Sequence, residues 1–191
     1  MQELHSNLIK ALAFIHKKSQ ITDSEFEEYY ETRHAPLAQS LLNFEYYERN
    51  YINSNLCPLY PSLGSISIFK YESEKSLAIV GEQMASNAGD TLRKDELNFM
   101  NVPQNYFVLT QSKELTKEMF NKKIFCPLRK DKELNILDSI DGLKKISNNL
   151  VMEPLEITAI PEYGITENIP LNTLENIMQD LPEIIFASSV R

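Results

Sequence analysis

The sequence predicts an α+β fold that consists of two β-α-β-β-α-β units in tandem. Its 191 residues are 42% hydrophobic and 24% charged, which is ordinary for a folded chain. Short apolar runs alternate with helical patterns in the order β-α-β-β-α-β, the order of a ferredoxin-like unit, and that order then recurs. The chain is also longer than one such unit needs. We therefore expect a complete unit at residues 1–115 and a shortened, degenerate copy at residues 116–191.

The first unit begins with a strand at residues 8–16, a short apolar run that ends before two lysines. A helix follows, because Thr22 and Glu25 have the spacing of a capping box. Pro36 should kink or break that helix near residues 33–35, since proline lacks an N–H group. The remaining elements are predicted as strands at 44–53, 65–71 and 106–109 and as helices at 76–84 and 92–100.

The second unit follows a polar linker, which we place at residues 111–121. Its elements are predicted as strands at 123–128, 143–152, 155–160 and 184–190 and as helices at 133–140 and 171–181. Pro161 and Gly164 are interpreted as the stop after the third of these strands. A weak internal repeat, which pairs Asn50 with Asn149, supports the two-unit interpretation.

Composition excludes several classes of function. The net charge of −8 would repel a phosphate backbone, so we expect no nucleic-acid partner. No apolar run approaches the roughly 20 residues that span a bilayer, so we expect no membrane partner. The first residues do not have the pattern of a signal peptide, and Cys57 and Cys126 are expected to be free thiols. These features predict a cytoplasmic protein.

Cofactor motifs are missing from the sequence. The three histidines are scattered, and no cysteine or histidine pair has the spacing of a metal site. No glycine-rich phosphate loop is present among the five glycines. We therefore expect neither a metal nor another cofactor, and the expected partner is a small-molecule ligand.

Three segments resemble the EthD family. Residues 26–38 read FEEYYETRHAPLA, with the histidine-x-proline-leucine motif at His34, and residues 47–51 (YERNY) follow in the next strand. Residues 95–100 (DELNFM) are similar to the segment before that family's last strand. The resemblance implies ferredoxin-like units that pair into a dimeric α/β barrel, with roles in catabolism or secondary metabolism. Here it implies a monomer with an internal pseudo-dimer, or a homodimer.

The candidate catalytic residues are His34, Tyr47 and Tyr51. A partly buried imidazole titrates near neutrality and can act as general acid or base, and a tyrosine could hold a developing oxyanion. His34 could equally be a core histidine, and the tyrosines could be ordinary strand packing. The candidate substrate-binding residues are Phe14, His16, Tyr30, Tyr46 and Asn50. Alternation leaves open which face of the second strand, the Tyr47 face or the Tyr46 face, lines the barrel.

These residues lead to one expected function and two alternatives. We expect cofactor-free acid–base chemistry, an isomerisation, cyclisation or elimination, on a compact carbonyl or phenolic compound inside the barrel. The first alternative is a non-catalytic ligand-binding or assembly module, and the second is a cofactor-free monooxygenase. A closed interior, or an interior wall that excludes His34, would favour the module.

Overall fold

A computed structural model describes residues 8–129, 135–153, 156–166 and 169–191. Within these ranges the chain forms ten β-strands and six α-helices. The strands are β1 (Leu8–His16), β2 (Tyr46–Ile52), β3 (Leu63–Tyr71), β4 (Tyr106–Glu114), β5 (Lys122–Phe125), β6 (Leu128–Arg129), β7 (Leu143–Val151), β8 (Ile157–Ala159), β9 (Glu162–Ile165) and β10 (Ile185–Val190). The helices are α1 (Asp23–Tyr29), α2 (Ala35–Leu41), α3 (Glu74–Met84), α4 (Asn87–Glu96), α5 (Asn135–Asp138) and α6 (Leu171–Asp180).

Eight strands close into an antiparallel barrel. Their order is β4-β1-β3-β2-β10-β5-β9-β7, and the pairing of β7 with β4 closes the ring. The first half of the chain supplies four neighbouring strands and the second half supplies the other four. The halves meet at two seams, β2 with β10 and β4 with β7. β8 and β6 extend the sheet beside β7, outside the ring.

Alternation along each strand separates an inner face from an outer face. On β1, Leu12 and Phe14 belong to the core inside the barrel, whereas Ala11 packs on the opposite side. On that outer side, α1 to α4 cover the sheet of the first half, with Phe26 and Tyr30 fully buried between the layers. Side chains on the buried face of these helices therefore meet the sheet from outside the barrel.

The first helix begins as the sequence predicts. Thr22 is its N-cap, and its hydroxyl accepts from the Glu25 backbone N–H at 3.2 Å. The Glu25 carboxylate in turn accepts from the Thr22 backbone N–H at 2.8 Å. The capping box is confirmed.

The helix widens before Pro36 and does not break there. The Ala35 N–H donates to the Tyr30 carbonyl five residues earlier, which makes a π-helical turn over Tyr30–His34. α2 then begins at Ala35, with Pro36 in its first turn. The irregularity predicted before Pro36 is therefore present as a wider turn over Tyr30–His34, which accommodates the proline and keeps Tyr30 and His34 buried.

Two predictions around the second unit are wrong. β4 runs to Glu114 and pairs with β7, so the first part of the predicted linker at 111–121 is strand. β9 lies where a stop was predicted, and Gly164 in β9 pairs with Lys123 of β5. A Cβ on Gly164 would lie 2.2 Å from Cγ of Phe120, so the glycine is needed where that ring lies against the strand.

β9 occupies the place in the ring that we predicted for a strand at residues 155–160. Only β8 forms there, and it lies outside the ring. That predicted strand begins at a residue outside the described ranges, and so does the helix predicted at 133–140. In the part of the chain that the structure describes, no helix is long and apolar enough to cross a membrane.

Candidate active site inside the barrel

One end of the barrel interior contains a cavity of about 280 Å³. Leu12, Phe14 and Ile66 fill the core beyond it, so the interior is polar at one end and apolar further in. Residues 116–119, in the connection between β4 and β5, line the cavity as well. Its wall carries lysines of β1, β3 and β5 and glutamates of β2, β4 and β9: Lys10, Lys70, Lys123, Glu48, Glu114 and Glu162.

Lys123 is held tightly by two carboxylates. Its ammonium donates to Glu48 Oε1 in a short bond and to Glu162 Oε1 at 2.6 Å. Glu48 also accepts from Arg191 Nε at 2.7 Å. Lys123, Glu48 and Glu162 are each at most 2% exposed, so this ion pair is buried and fully satisfied.

Lys10 is equally buried but is held loosely. Its ammonium lies 3.2 Å from Ser147 Oγ, 3.5 Å from Glu162 Oε2 and 3.7 Å from Glu114 Oε1. The same Glu114 oxygen accepts from Lys70 Nζ at 2.5 Å. Lys10 is 1% exposed. Its lost hydration is therefore compensated mainly by two carboxylates at 3.5 and 3.7 Å, which are longer contacts than those of Lys123.

The pKa of Glu162 and the pKa of Lys10 are both lowered, with opposite consequences for the charge of the two groups. Burial alone would raise the pKa of Glu162, but the ammonium groups of Lys10 and Lys123 bring it down to about 2. Burial lowers the pKa of Lys10, and the charges of Lys70 and Lys123 lower it further against the opposing effect of the carboxylates. Glu162 is therefore a fixed anion, and Lys10 releases its proton more readily than an ordinary lysine.

Tyr46 lies at the cavity wall beside these charges. Its hydroxyl donates to Glu48 Oε2 in a short bond, and Lys70 Nζ lies 4.2 Å from the centre of its ring. Burial and the Glu48 carboxylate raise the pKa of the phenol. Tyr46 therefore stays protonated, and its single O–H is donated to Glu48.

His34 does not reach this cavity. It is 6% exposed, its Nδ1 lies 2.8 Å from Asp95 Oδ2, and the Tyr29 hydroxyl donates to the other oxygen of Asp95 at 2.8 Å. Asn98 donates to Tyr29 Oη at 3.0 Å. The EthD-like segments at residues 26–38 and 95–100 thus meet at these side chains, but on the outer side of the sheet, under α4.

Tyr47 and Tyr51 are on the outer face of β2. The Tyr47 hydroxyl donates to Tyr30 Oη at 2.9 Å, and Tyr51 donates to Glu31 Oε1 at 2.5 Å. Arg49 on the same face donates to both Glu31 oxygens, at 2.9 and 2.7 Å. Burial raises the pKa of Tyr47 and of Tyr51. The predicted catalytic tyrosines therefore join helix to sheet and do not line the cavity.

The other predicted binding residues are divided between the two faces. Tyr30 lies on the outer face, where its hydroxyl is 3.0 Å from Ser67 Oγ. Phe14 faces inward, stacked on Tyr106 at 4.6 Å between ring centres. His16, at the far end of β1 from Lys10, is bonded through Nδ1 to Ser62 Oγ at 2.9 Å. Neither Phe14 nor His16 lines the cavity, so Tyr46 is the predicted site residue that does.

Asn50 faces inward and is fully engaged by the barrel. Its amide nitrogen donates to the Ile66 carbonyl at 2.9 Å, and its oxygen accepts from Ser189 Oγ at 2.6 Å. Asn50 is completely buried. This side chain therefore joins β3, through its amide nitrogen, to β10 across the seam, through its oxygen.

Sequence reasoning missed the lysines and glutamates of the interior. Lys10 lies on the same alternating face of β1 as Leu12 and Phe14, which was the available signal that it points inward. Within the described residues, no group of three or more histidine, cysteine or acidic side chains is arranged to hold a metal. The inward position of Glu48 and Glu162 follows only from closure of the barrel.

Comparison with known proteins establishes the fold. No family model and no curated protein matches the sequence. A provisionally assigned monooxygenase from Fusobacterium nucleatum superposes with a TM-score of 0.56 at 7% identity, over 98% of this chain and 94% of that one. A chlorite dismutase mutant from Candidatus Nitrospira defluvii gives 0.55 at 8% identity, over 98% and 92% of the two chains. An anthrone oxidase-like protein gives 0.52 at 8% identity, over 100% and 94%.

The matches also include an EthD family protein from Bacillus halodurans. It is 19% identical over 59% of this chain and 99% of its own length, with a TM-score of 0.38. The superpositions over the whole chain show an antiparallel α/β barrel, the fold that the sequence resemblance implied. At these identities the likeness concerns the fold.

Proposed function

We propose that the chain is a small-molecule enzyme whose site is the interior cavity and whose chemistry is cofactor-free proton transfer. The observation that carries the proposal is the cavity wall of ionisable groups, in which Lys10 and Tyr46 adjoin the anions Glu48 and Glu162. Lys10 could move a proton, and Tyr46 could donate to a developing oxyanion when its single O–H turns from Glu48 to the ligand. A volume of about 280 Å³ suits a compact carbonyl or phenolic compound.

We further propose that the barrel is an internal pseudo-dimer of two ferredoxin-like units, residues 1–115 and 116–191. The strand order supports this. Around the ring, each half contributes its four ring strands in the same order: the fourth, the first, the third and the second. The seams support it as well. Asn149 donates to the Ile160 carbonyl at 2.7 Å and accepts from Ser112 Oγ at 2.7 Å, which repeats the bonds of Asn50 across the opposite seam.

Deuterium exchange tests the proposed chemistry. Compact ketones and phenols incubated in D₂O with the protein should exchange carbon-bound protons, followed by NMR. We expect exchange to be lost in Tyr46→Phe or Lys10→Met and kept in His34→Gln, since His34 lies beyond the sheet. Exchange lost only in His34→Gln would move the site to the outer face, where a catalytic role of His34, Tyr47 and Tyr51 stays a prediction.

The non-catalytic module is the second candidate, and one observation favours it. The residues that line the cavity do not include His34, which is the outcome that the sequence analysis assigned to a module. A protein that binds a compound in the cavity but exchanges no proton of any compound tested would be such a module.

A cofactor-free monooxygenase is a further proposal with the same fold. Structural neighbours carry that provisional assignment, but at 7% and 8% identity their likeness concerns the fold. Oxygen consumption in the presence of a quinol would support this function.

A homodimer is proposed as the alternative to a monomer. Phe107, Leu150 and Met152 expose 69%, 57% and 47% of their surface around the β4–β7 seam. Exposed apolar groups near one seam support association. Light scattering during size-exclusion chromatography would distinguish a monomer from a dimer.

A further inference from the structure

We infer that the cavity recognises a compact oxyanion, such as a carboxylate or phenolate, with Lys10 and Lys70 as its binding partners. This inference rests on the proposed function, because it names the class of molecule that the interior cavity takes. It is carried by the arrangement of charges around the cavity and by the weak contacts of one buried lysine.

The first observation is an excess of positive charge. The buried and half-buried ion pairs form one alternating chain through the interior. Both ends of that chain are cations, so among the described residues it has one more cation than carboxylates. Its order is Arg191, Glu48, Lys123, Glu162, Lys10, Glu114 and Lys70.

The cavity mouth does not remove this excess. Glu118 lines it but is paired with Lys144 at 2.5 Å. Lys117 lines it too and has no ion-pair partner in the part of the chain that the structure describes. An incoming anion would therefore meet a net positive wall.

The second observation locates the excess at Lys10. If the halves are related as the two asparagine seams indicate, β2 corresponds to β7 and Glu48 corresponds to Ser147. Lys123 contacts Glu48, while Lys10 contacts Ser147 at 3.2 Å. Lys10 therefore meets a neutral hydroxyl at the place where Lys123 meets a carboxylate, and an oxyanion there would supply the missing charge.

The third observation is access. Lys10 and Lys70 both contact Oε1 of Glu114, so their ammonium groups lie close together. Lys70 and Glu114 are 24% and 30% exposed, whereas Lys10 is 1% exposed. An oxyanion entering past Lys70 could share both lysines with Glu114, and the Tyr46 ring under Lys70 Nζ would contact its apolar part.

Benzoate, benzamide and benzamidine test the inference, because they share a shape and differ in charge. Titrations at pH 7 would be followed by calorimetry and NMR. We expect benzoate to bind at least about tenfold more tightly than the other two, the effect of one charged hydrogen bond. Lys10→Met and Lys70→Met should each abolish that preference, while Lys113→Met, on the exposed outer face of β4, should retain it.

The outcomes separate this inference from the proposed function. If benzamide or benzamidine binds as tightly as benzoate, the anion preference is wrong while the interior site survives. If benzoate binds equally well to Lys10→Met and Lys70→Met, the assigned partners are wrong. If none of the three compounds binds, the proposed interior site itself fails for compact aromatic ligands. Lys70 is partly exposed, so its variant keeps the test valid if Lys10→Met does not fold.

Discussion

The two faces of β2 carry polar side chains in opposite settings. Outward, Tyr47 and Tyr51 donate to partners on the overlying helix, and each hydroxyl has a near neighbour at 2.9 Å or less. Inward, Glu48 belongs to a chain of charges that borders empty space and has an unmatched cation. The hydroxyls of Tyr47 and Tyr51 are paired without a ligand, whereas the inner chain of charges has one more cation than carboxylates. Incomplete compensation therefore identifies a binding site better than the presence of histidine or tyrosine does.

The largest expected effect comes from removing the carboxylate at the centre of the interior. Glu162→Gln leaves Lys123 and Lys10 without their shared anion, so we expect the free energy of unfolding to fall by about 3–5 kcal/mol. Urea denaturation measures this loss. In the matched control Glu118→Gln, which breaks an exposed pair with Lys144, the loss should be at most about 1 kcal/mol. Equal losses would contradict the distinction.

The two seams should contribute equally if the halves are equivalent. Asn50→Ala and Asn149→Ala each remove a buried side chain with two hydrogen bonds, so each should cost about 2–3 kcal/mol in urea denaturation. A large loss at one seam and almost none at the other would argue against an internal pseudo-dimer.

A smaller loss is expected on the outer face. Tyr30→Phe removes the hydroxyl that accepts from Tyr47 and contacts Ser67, which should cost about 1–2 kcal/mol without changing benzoate affinity. Tyr106→Phe is the control, since Tyr106 is 44% exposed, and it should change stability by no more than about 0.5 kcal/mol. A weakened benzoate affinity in Tyr30→Phe would connect the two faces and contradict their separation.

The smallest expected effect is a pH dependence. Because the pKa of Lys10 is lowered in the folded protein, the unfolded chain holds this proton at pH values where the folded chain has released it. The free energy of unfolding should therefore rise with pH below about 10.4, the ordinary lysine value. Urea titrations from pH 7 upward should show this contribution in the wild type and not in Lys10→Met. Identical pH profiles would contradict the assigned shift.

Much of the barrel could be predicted from local patterns. The alternation of β1 and the capping box at Thr22 are properties of neighbouring residues, and both are observed. β9 could not be predicted, because Gly164 was interpreted as a turn residue and its purpose depends on Phe120, which is distant in sequence. A strand that depends on a contact with a residue distant in sequence cannot be predicted from the local periodicity of hydrophobic residues.

The site escaped prediction for a related reason. A lysine or glutamate in a strand is normally assigned to the solvent face, so sequence reasoning gave Lys123 and Glu162 no role. Their burial depends on closure of the ring. His34 does face the sheet, but helices cover this barrel from outside, so a helical residue facing the sheet cannot enter the interior. The sequence predicted a partly buried histidine, and the structure places His34 on the side of the sheet away from the cavity.

The most direct test of the central claim is the position of a bound oxyanion in a crystal. Crystals soaked with 4-bromobenzoate would reveal the ligand through the anomalous scattering of bromine. The account predicts bromine density inside the barrel, with the carboxylate within hydrogen-bond distance of Lys10 and Lys70. Bromine density beside His34 and Asp95 on the outer face, with the interior unchanged, would contradict it.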